Sequence, residues 1–172
     1  PLNIGDAWAG DPALCDFDGD SKLDIVFWRA KGKEAEICVL RGEGAGSPLA
    51  PFMKPAEALL TLPWALPSAN FPVLRPCPVD WNGDGRMDLV VGAPSYYAVV
   101  KANIFGRVYI FNGTSTWQST IGASSANTKI TGDVDSGNFG IALSAGDLNG
   151  DGKDDLAVGG NKVLEQVVKL NK

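Results

Sequence analysis

Short apolar runs punctuate this chain, and three of them follow a stretch of aspartate, asparagine and glycine. Residues 25–28 read Ile-Val-Phe-Trp, residues 89–92 Leu-Val-Val-Gly and residues 156–158 Leu-Ala-Val. Runs this short, bounded by turn residues, predict buried strands. Residues 36–41 read as another strand. Further strands are expected at 12–15, 73–79, 106–112, 129–131 and 163–170, and a short helix at 55–62. Twenty-one glycines and eleven prolines favour a turn-rich, all-β chain. Eight of those prolines fall within residues 44–78, a stretch expected to make no regular ladder. Its Leu59, Leu60, Leu62, Trp64 and Leu66 need burial, which makes it a packed connector rather than a recognition loop.

The polar stretches ahead of the three runs share one spacing. Asp80, Asn82, Asp84 and Asp88 stand at positions 1, 3, 5 and 9 of a loop with Gly85 at position 6. Asp147, Asn149, Asp151 and Asp155 repeat the pattern around Gly152. Asp16, Asp18, Asp20 and Asp24 repeat it more loosely, with Ser21 at the turn. At position 7, Lys22, Arg86 and Lys153 can each add a backbone carbonyl. An oxygen-only donor set in a tight loop suits a hard cation, so calcium is expected at up to three sites. Glycine permits the sharp turn, and Ser21 is expected to strain it. The first aspartates lie 64 and then 67 residues apart, the mark of a repeat protein. An EF-hand shares the start of the loop but needs a carboxylate at position 12 and flanking helices. Position 12 here is Phe27, Val91 and Val158.

The sequence Phe139-Gly140, then Gly146 to Gly152, then Asp155-Leu-Ala-Val-Gly-Gly resembles an FG-GAP repeat. So does the stretch from Asp80 to Pro94 with its literal Gly92-Ala93-Pro94, followed by residues 106–113. This is the repeat of integrin alpha-subunit propellers and related extracellular proteins. The resemblance is good over residues 72–160 and weak over residues 8–40. It implies four-stranded propeller blades, with calcium held in the aspartate loop between two strands. Three departures stand out. The first repeat has Trp28-Arg29-Ala30 in place of Gly-Ala-Pro, the second lacks Phe-Gly ahead of its loop, and the third has Gly159-Gly160-Asn161. One region of blades is expected: blade one at 8–43, the connector at 44–71, blade two at 72–131 and blade three at 138–172. That is about two and a half to three blades, too few for a ring. The chain is then a part of a larger propeller or the subunit of an assembly.

The formal charge of −5 is concentrated in the aspartate loops and reads as metal demand, which makes nucleic acid an unsuitable partner. The chain has no histidine, which excludes Ser-His catalysis, His-ligated zinc and a histidine switch. No apolar run is long enough to span a membrane, and with no basic region and apolar core after Pro1 no leader peptide is expected in this sequence. The expected function is a non-catalytic, calcium-binding interaction or structural module outside the cell. Its partners would be a protein or glycan ligand, or further copies of itself. A filament subunit, a propeller lectin and an accessory propeller of a larger enzyme such as a phospholipase remain as alternatives. For the lectin, Trp81 at position 2 of its loop is the tryptophan expected to be most exposed. Asn112-Gly113-Thr114 is the Asn-x-Thr glycosylation site. Of Cys15, Cys38 and Cys77, an odd count leaves at least one unpaired. Strand-face parity, with blades stacked in one sense, disfavours Cys15–Cys77, an intervening strand disfavours Cys15–Cys38, and Cys38–Cys77 is left as the one to expect.

Overall fold

A computed structural model describes residues 9–31, 34–42, 57–63, 74–94, 105–114, 117, 121–134, 136–161 and 167–168. They form three antiparallel sheets that follow one another along the chain. In the first, β1 (Ala9–Cys15), β2 (Asp24–Lys31), β3 (Glu34–Leu40) and β4 (Glu57–Pro63) lie side by side in that order. In the second, β5 (Arg75–Val79), β6 (Asp88–Ala93), β7 (Arg107–Phe111) and β8 (Thr128–Thr131) do the same. The third places β10 (Asp155–Gly159) between β9 (Ala142–Gly146) and β11 (Val167–Val168). Such meanders need only short connections between sequence neighbours. Each acidic loop is the connection from the first strand of a sheet to the second.

The strands expected from the apolar pattern are present, the one at 163–170 at its described residues 167–168 alone, and the expected helix at 55–62 is not. Those residues instead enter β4, which pairs with β3 from Glu34↔Pro63 to Val39↔Glu57 around one bulge. Without β4, one edge of β3 would lack backbone partners, and that demand outweighs a weak local helical preference. The prolines are tolerated because of where they fall. Pro76 and Pro78 lie in β5, an edge strand, at alternate positions that leave the other amides for β6. Leu59 of the connector is buried, as expected, whereas Trp64 and Leu66 lie outside the described residues.

The sheets stack face to face. Val26, Trp28 and Ile37 of the first sheet share a core with Leu89, Val91 and Phe111 of the second. On the second sheet's other face, Val90, Val108 and Ile110 pack with Phe139, Leu156 and Val158. All six residues of β6 are therefore buried, which is why its sequence is a continuous apolar run rather than an alternation. The first strands of the three sheets lie together, with β5 touching both β1 and β9. Leading strands gathered in this way, with sheets stacked by their faces, are the arrangement of propeller blades.

The junction of the second and third sheets is a close backbone approach. A Cβ on Gly92 would strike the Gly140 carbonyl, and a parallel bridge joins Gly106 to Phe139. The Phe139 amide also donates to the Phe105 carbonyl at 3.2 Å. Counted from the loop, Trp28 stands in the first sheet where Gly92 stands in the second. The second repeat has no Phe-Gly pair to approach it, and the indole, buried against the second sheet, occupies that room. The neighbouring Arg29 is accommodated by a cross-strand ion pair, its Nη2 2.7 Å from Glu36 Oε2. Two of the departures from the repeat pattern are thus one compensated exchange.

Two sequence expectations are corrected here. Trp81 is only 9 % exposed and packs with Val79 and Leu156 between the second and third sheets, so it offers no sugar-stacking platform. All three cysteines are free thiols. Cys38 lies with Phe27 and Leu40 on the far face of the first sheet, while Cys77 packs on the second sheet's face toward the third, so Cys38–Cys77 cannot close. The stacking itself gives a contrast to measure. Leu89 is fully buried and Leu148 is 67 % exposed. Leu89→Ala should lower the unfolding free energy in denaturant by about 2–5 kcal/mol. Leu148→Ala should change it by less than about 0.5 kcal/mol.

Candidate metal centres

The three loops fold by one local rule. The aspartate at position 1 accepts backbone amides from the turn it encloses. Asp16 takes those of Gly19, Asp20 and Ser21 at 2.8–3.0 Å. Asp147 takes those of Gly150, Asp151 and Gly152 at 2.7–3.1 Å, and Asp80 takes those of Asp84 and Gly85. The side chain at position 3 accepts from the amide at position 5 in all three loops, through Asp18, Asn82 and Asn149. Position 5 in turn accepts from position 7, so Asp20, Asp84 and Asp151 hold the amides of Lys22, Arg86 and Lys153. These Asx-type bonds explain why aspartate and asparagine recur at alternate positions. At position 6 the backbone is left-handed, with φ of 81° at Gly85 and 84° at Gly152. Ser21 is held at φ 64°, so the strain expected in the first loop is present.

Position 9 anchors each loop in the protein interior. Asp24, Asp88 and Asp155 are 1 %, 0 % and 2 % exposed. Asp24 accepts the Phe17 amide at 3.0 Å and the Gly42 amide at 2.7 Å. Asp88 likewise accepts from Asn82 and from Gly113, and Asp155 from Leu148 at 3.1 Å. Gly42 and Gly113 each stand two residues beyond the third strand of their sheet, and a Cβ on either would collide with a loop carbonyl, Leu23 or Met87. These glycines were not singled out from the sequence, although their shared place after the third strand was visible there. Burial pushes the Asp88 carboxyl above its ordinary range despite those two amides. The Gly152 amide, foremost among several, holds that of Asp147 below it.

Asp16, Asp18 and Asp24 each bring a carboxylate oxygen within 4.8 Å of the others. This is the one such trio of acidic or sulfur ligands among the described residues, and it occupies positions 1, 3 and 9. The other two loops have Asn82 and Asn149 at position 3, where the donor is an amide oxygen. An all-oxygen set with a buried carboxylate fits a hard divalent cation. Asp20 lies outside the trio and pairs with Lys22 at 2.6 Å. The loops also neighbour one another. The Asp80 amide donates to Asp154 Oδ2 at 3.1 Å, joining the second loop to the third. The first and second loops line a cleft of about 610 Å³, together with Arg41, Glu57 and Trp117. None of those three was identified from the sequence, because each comes from outside the loops. Burial, ahead of neighbouring charges, pushes the thiols of Cys15 and Cys77 up to about 12 and about 11, so neither is a nucleophile at neutral pH.

Comparison with known proteins matches the sequence of these repeats to a family. The FG-GAP-like repeat matches residues 16–91 and again residues 80–158. Phosphatidylinositol-glycan-specific phospholipase D of Bos taurus is 36% identical over 129 residues, 70% of this chain and 14% of that protein. Integrin alpha-6 of Gallus gallus is 41% identical over 83 residues, 47% of this chain and 7% of the integrin. Integrin alpha-IIb of Mus musculus is 45% identical over 83 residues, 46% of this chain and 8% of the integrin. The aligned part is thus a small fraction of each of these relatives. With two overlapping matches spanning all three acidic loops, the chain belongs to the FG-GAP-like repeat family.

Proposed function

We propose that this chain is a calcium-stabilised, non-catalytic interaction or structural module that works outside the cell. The observation that carries the reading is the recurrence of one acidic loop three times, each closed by a buried aspartate at position 9. A buried carboxylate is costly unless its charge is matched. Among the described residues, no basic side chain pairs with Asp80, Asp84 or Asp88. Bound calcium would supply that missing charge and tie the loop oxygens together. The residues that would hold it are Asp16, Asp18, Asp20 and Asp24; Asp80, Asn82, Asp84 and Asp88; and Asp147, Asn149, Asp151 and Asp155. The carbonyls of Lys22, Arg86 and Lys153 would complete the three sets. The ion's work is structural: each loop joins two strands, with no helix pair to reorient.

The partner is a protein or glycan ligand, or further copies of the chain. No helix among the described residues is long and apolar enough to cross a membrane. A second reading, an accessory propeller of a larger enzyme, draws support from the phospholipase D match over 70% of this chain. Neither reading gives the repeats themselves a catalytic role.

Thermal melting tests the calcium reading. Chelator should lower the melting temperature, and Asp84→Ala and Asp151→Ala should each lower it more than Asp20→Ala. Each occupied site stabilises the fold by about 2.7 kcal/mol at a hundredfold excess over its dissociation constant. An unchanged melting curve in excess chelator, with metal analysis confirming removal, would overturn the reading. The extracellular assignment has its own test at Asn112, which is exposed just beyond β7. Expressed through a eukaryotic secretory route, the chain should carry a glycan there. Intact mass before and after glycosidase checks this, and no shift in a natively secreted sample counts against it.

A further inference from the structure

The first loop differs from the other two in what faces it. Arg41 follows β3 and precedes Gly42, as Asn112 follows β7 and precedes Gly113. Where the second sheet puts an exposed asparagine, the first therefore puts a guanidinium. Its Nη1 lies 2.9 Å from Asp18 Oδ2 and 3.6 Å from Asp24 Oδ2, and its Nε 3.9 Å from Glu57. The guanidinium also sits over the Phe17 ring, 5.6 Å from the centroid. Nη1 is buried and makes no hydrogen bond, so the contact is one of charge without directed bonding. Two of the three carboxylates that converge at positions 1, 3 and 9 are therefore already matched by a cation of the chain itself.

We propose that Arg41 is a resident counter-ion of the first loop, neutralising Asp18 and Asp24 when no metal is bound and competing with calcium for them. This rests on the calcium reading and adds a rank order to it. The first loop is the weakest of the three sites and the one whose fold depends least on metal. An ion bound by Asp18 and Asp24 would take the carboxylates that Arg41 now faces, so the two cations compete for the same oxygens. A positive charge retained beside the bound ion still opposes it.

The test is a calcium chloride titration of the full chain, read by amide NMR. Gly19 and Ser21 report the first loop, Gly83 and Gly85 the second, Gly150 and Gly152 the third. In the parent, the first loop should titrate last. In R41Q its dissociation constant should fall by about tenfold, while R41K stays near the parent and the other loops shift less than about twofold. A first-loop midpoint in R41Q within about twofold of the parent, or weaker, overturns the proposal while leaving calcium binding at the other loops intact. If no loop responds in either chain, the calcium reading itself has failed. Melting separates charge from packing. R41Q should lower the melting temperature in chelator and much less in saturating calcium, and an R41Q chain that folds only with calcium is the same result in its extreme form. Equal losses in both conditions, for R41Q and for R41M, which keeps an unbranched side chain without the charge, would make Arg41 merely a packing residue and overturn the proposal.

Discussion

The buried aspartate at position 9 is the constraint on which the rest of this structure depends. Asp24 and Asp88 each receive an amide from the start of their loop and another from the glycine beyond the third strand. One side chain thus ties three segments: the loop, the strand it opens, and the exit of the next strand. Leaving these amides unpaired in the interior would cost about 1–3 kcal/mol each. The carboxylate that satisfies them brings a charge into the core, and that charge is what a cation bound at the same place would match. Fold and metal demand therefore have one origin.

From this anchor the stacking follows. The loop fixes where the second strand begins, so the apolar side chains after it fall on set faces. In the second sheet both faces meet a neighbour, and β6 is apolar throughout. Between the second and third sheets a side-chain core is joined by a close backbone approach, at Gly92, Gly106, Phe139 and Gly140. Between the first and second the contact is made by side chains, with Trp28 at the place of Gly92. At Gly92 a Cβ would strike the Gly140 carbonyl, whereas at the same place in the first sheet the Trp28 indole is buried in the shared core.

Much of this was legible in the sequence because it is local. The loop positions, the left-handed turn and the strand after each loop are set within about a dozen residues, where spacing and glycine placement carry the information. What was not legible depends on pairing at a distance. Residues 57–63 have no strong strand pattern and become β4 because β3 offers an edge. Trp81 stands in a polar loop yet is buried, because the third sheet covers it. Arg41 gives no local sign of its role, since two strands, β2 and β3, separate it in sequence from the loop that carries Asp18 and ends at Asp24.

The central claim is that these loops are metal centres and not merely Asx-rich turns. Counting the calcium held per chain, by equilibrium dialysis against a calcium buffer with elemental analysis, tests it most directly. The expected result is two or three ions per chain, one for each loop whose carboxylates are free to bind at the calcium level used, retained in the presence of excess magnesium. A folded chain that holds no calcium above the buffer background would contradict the account.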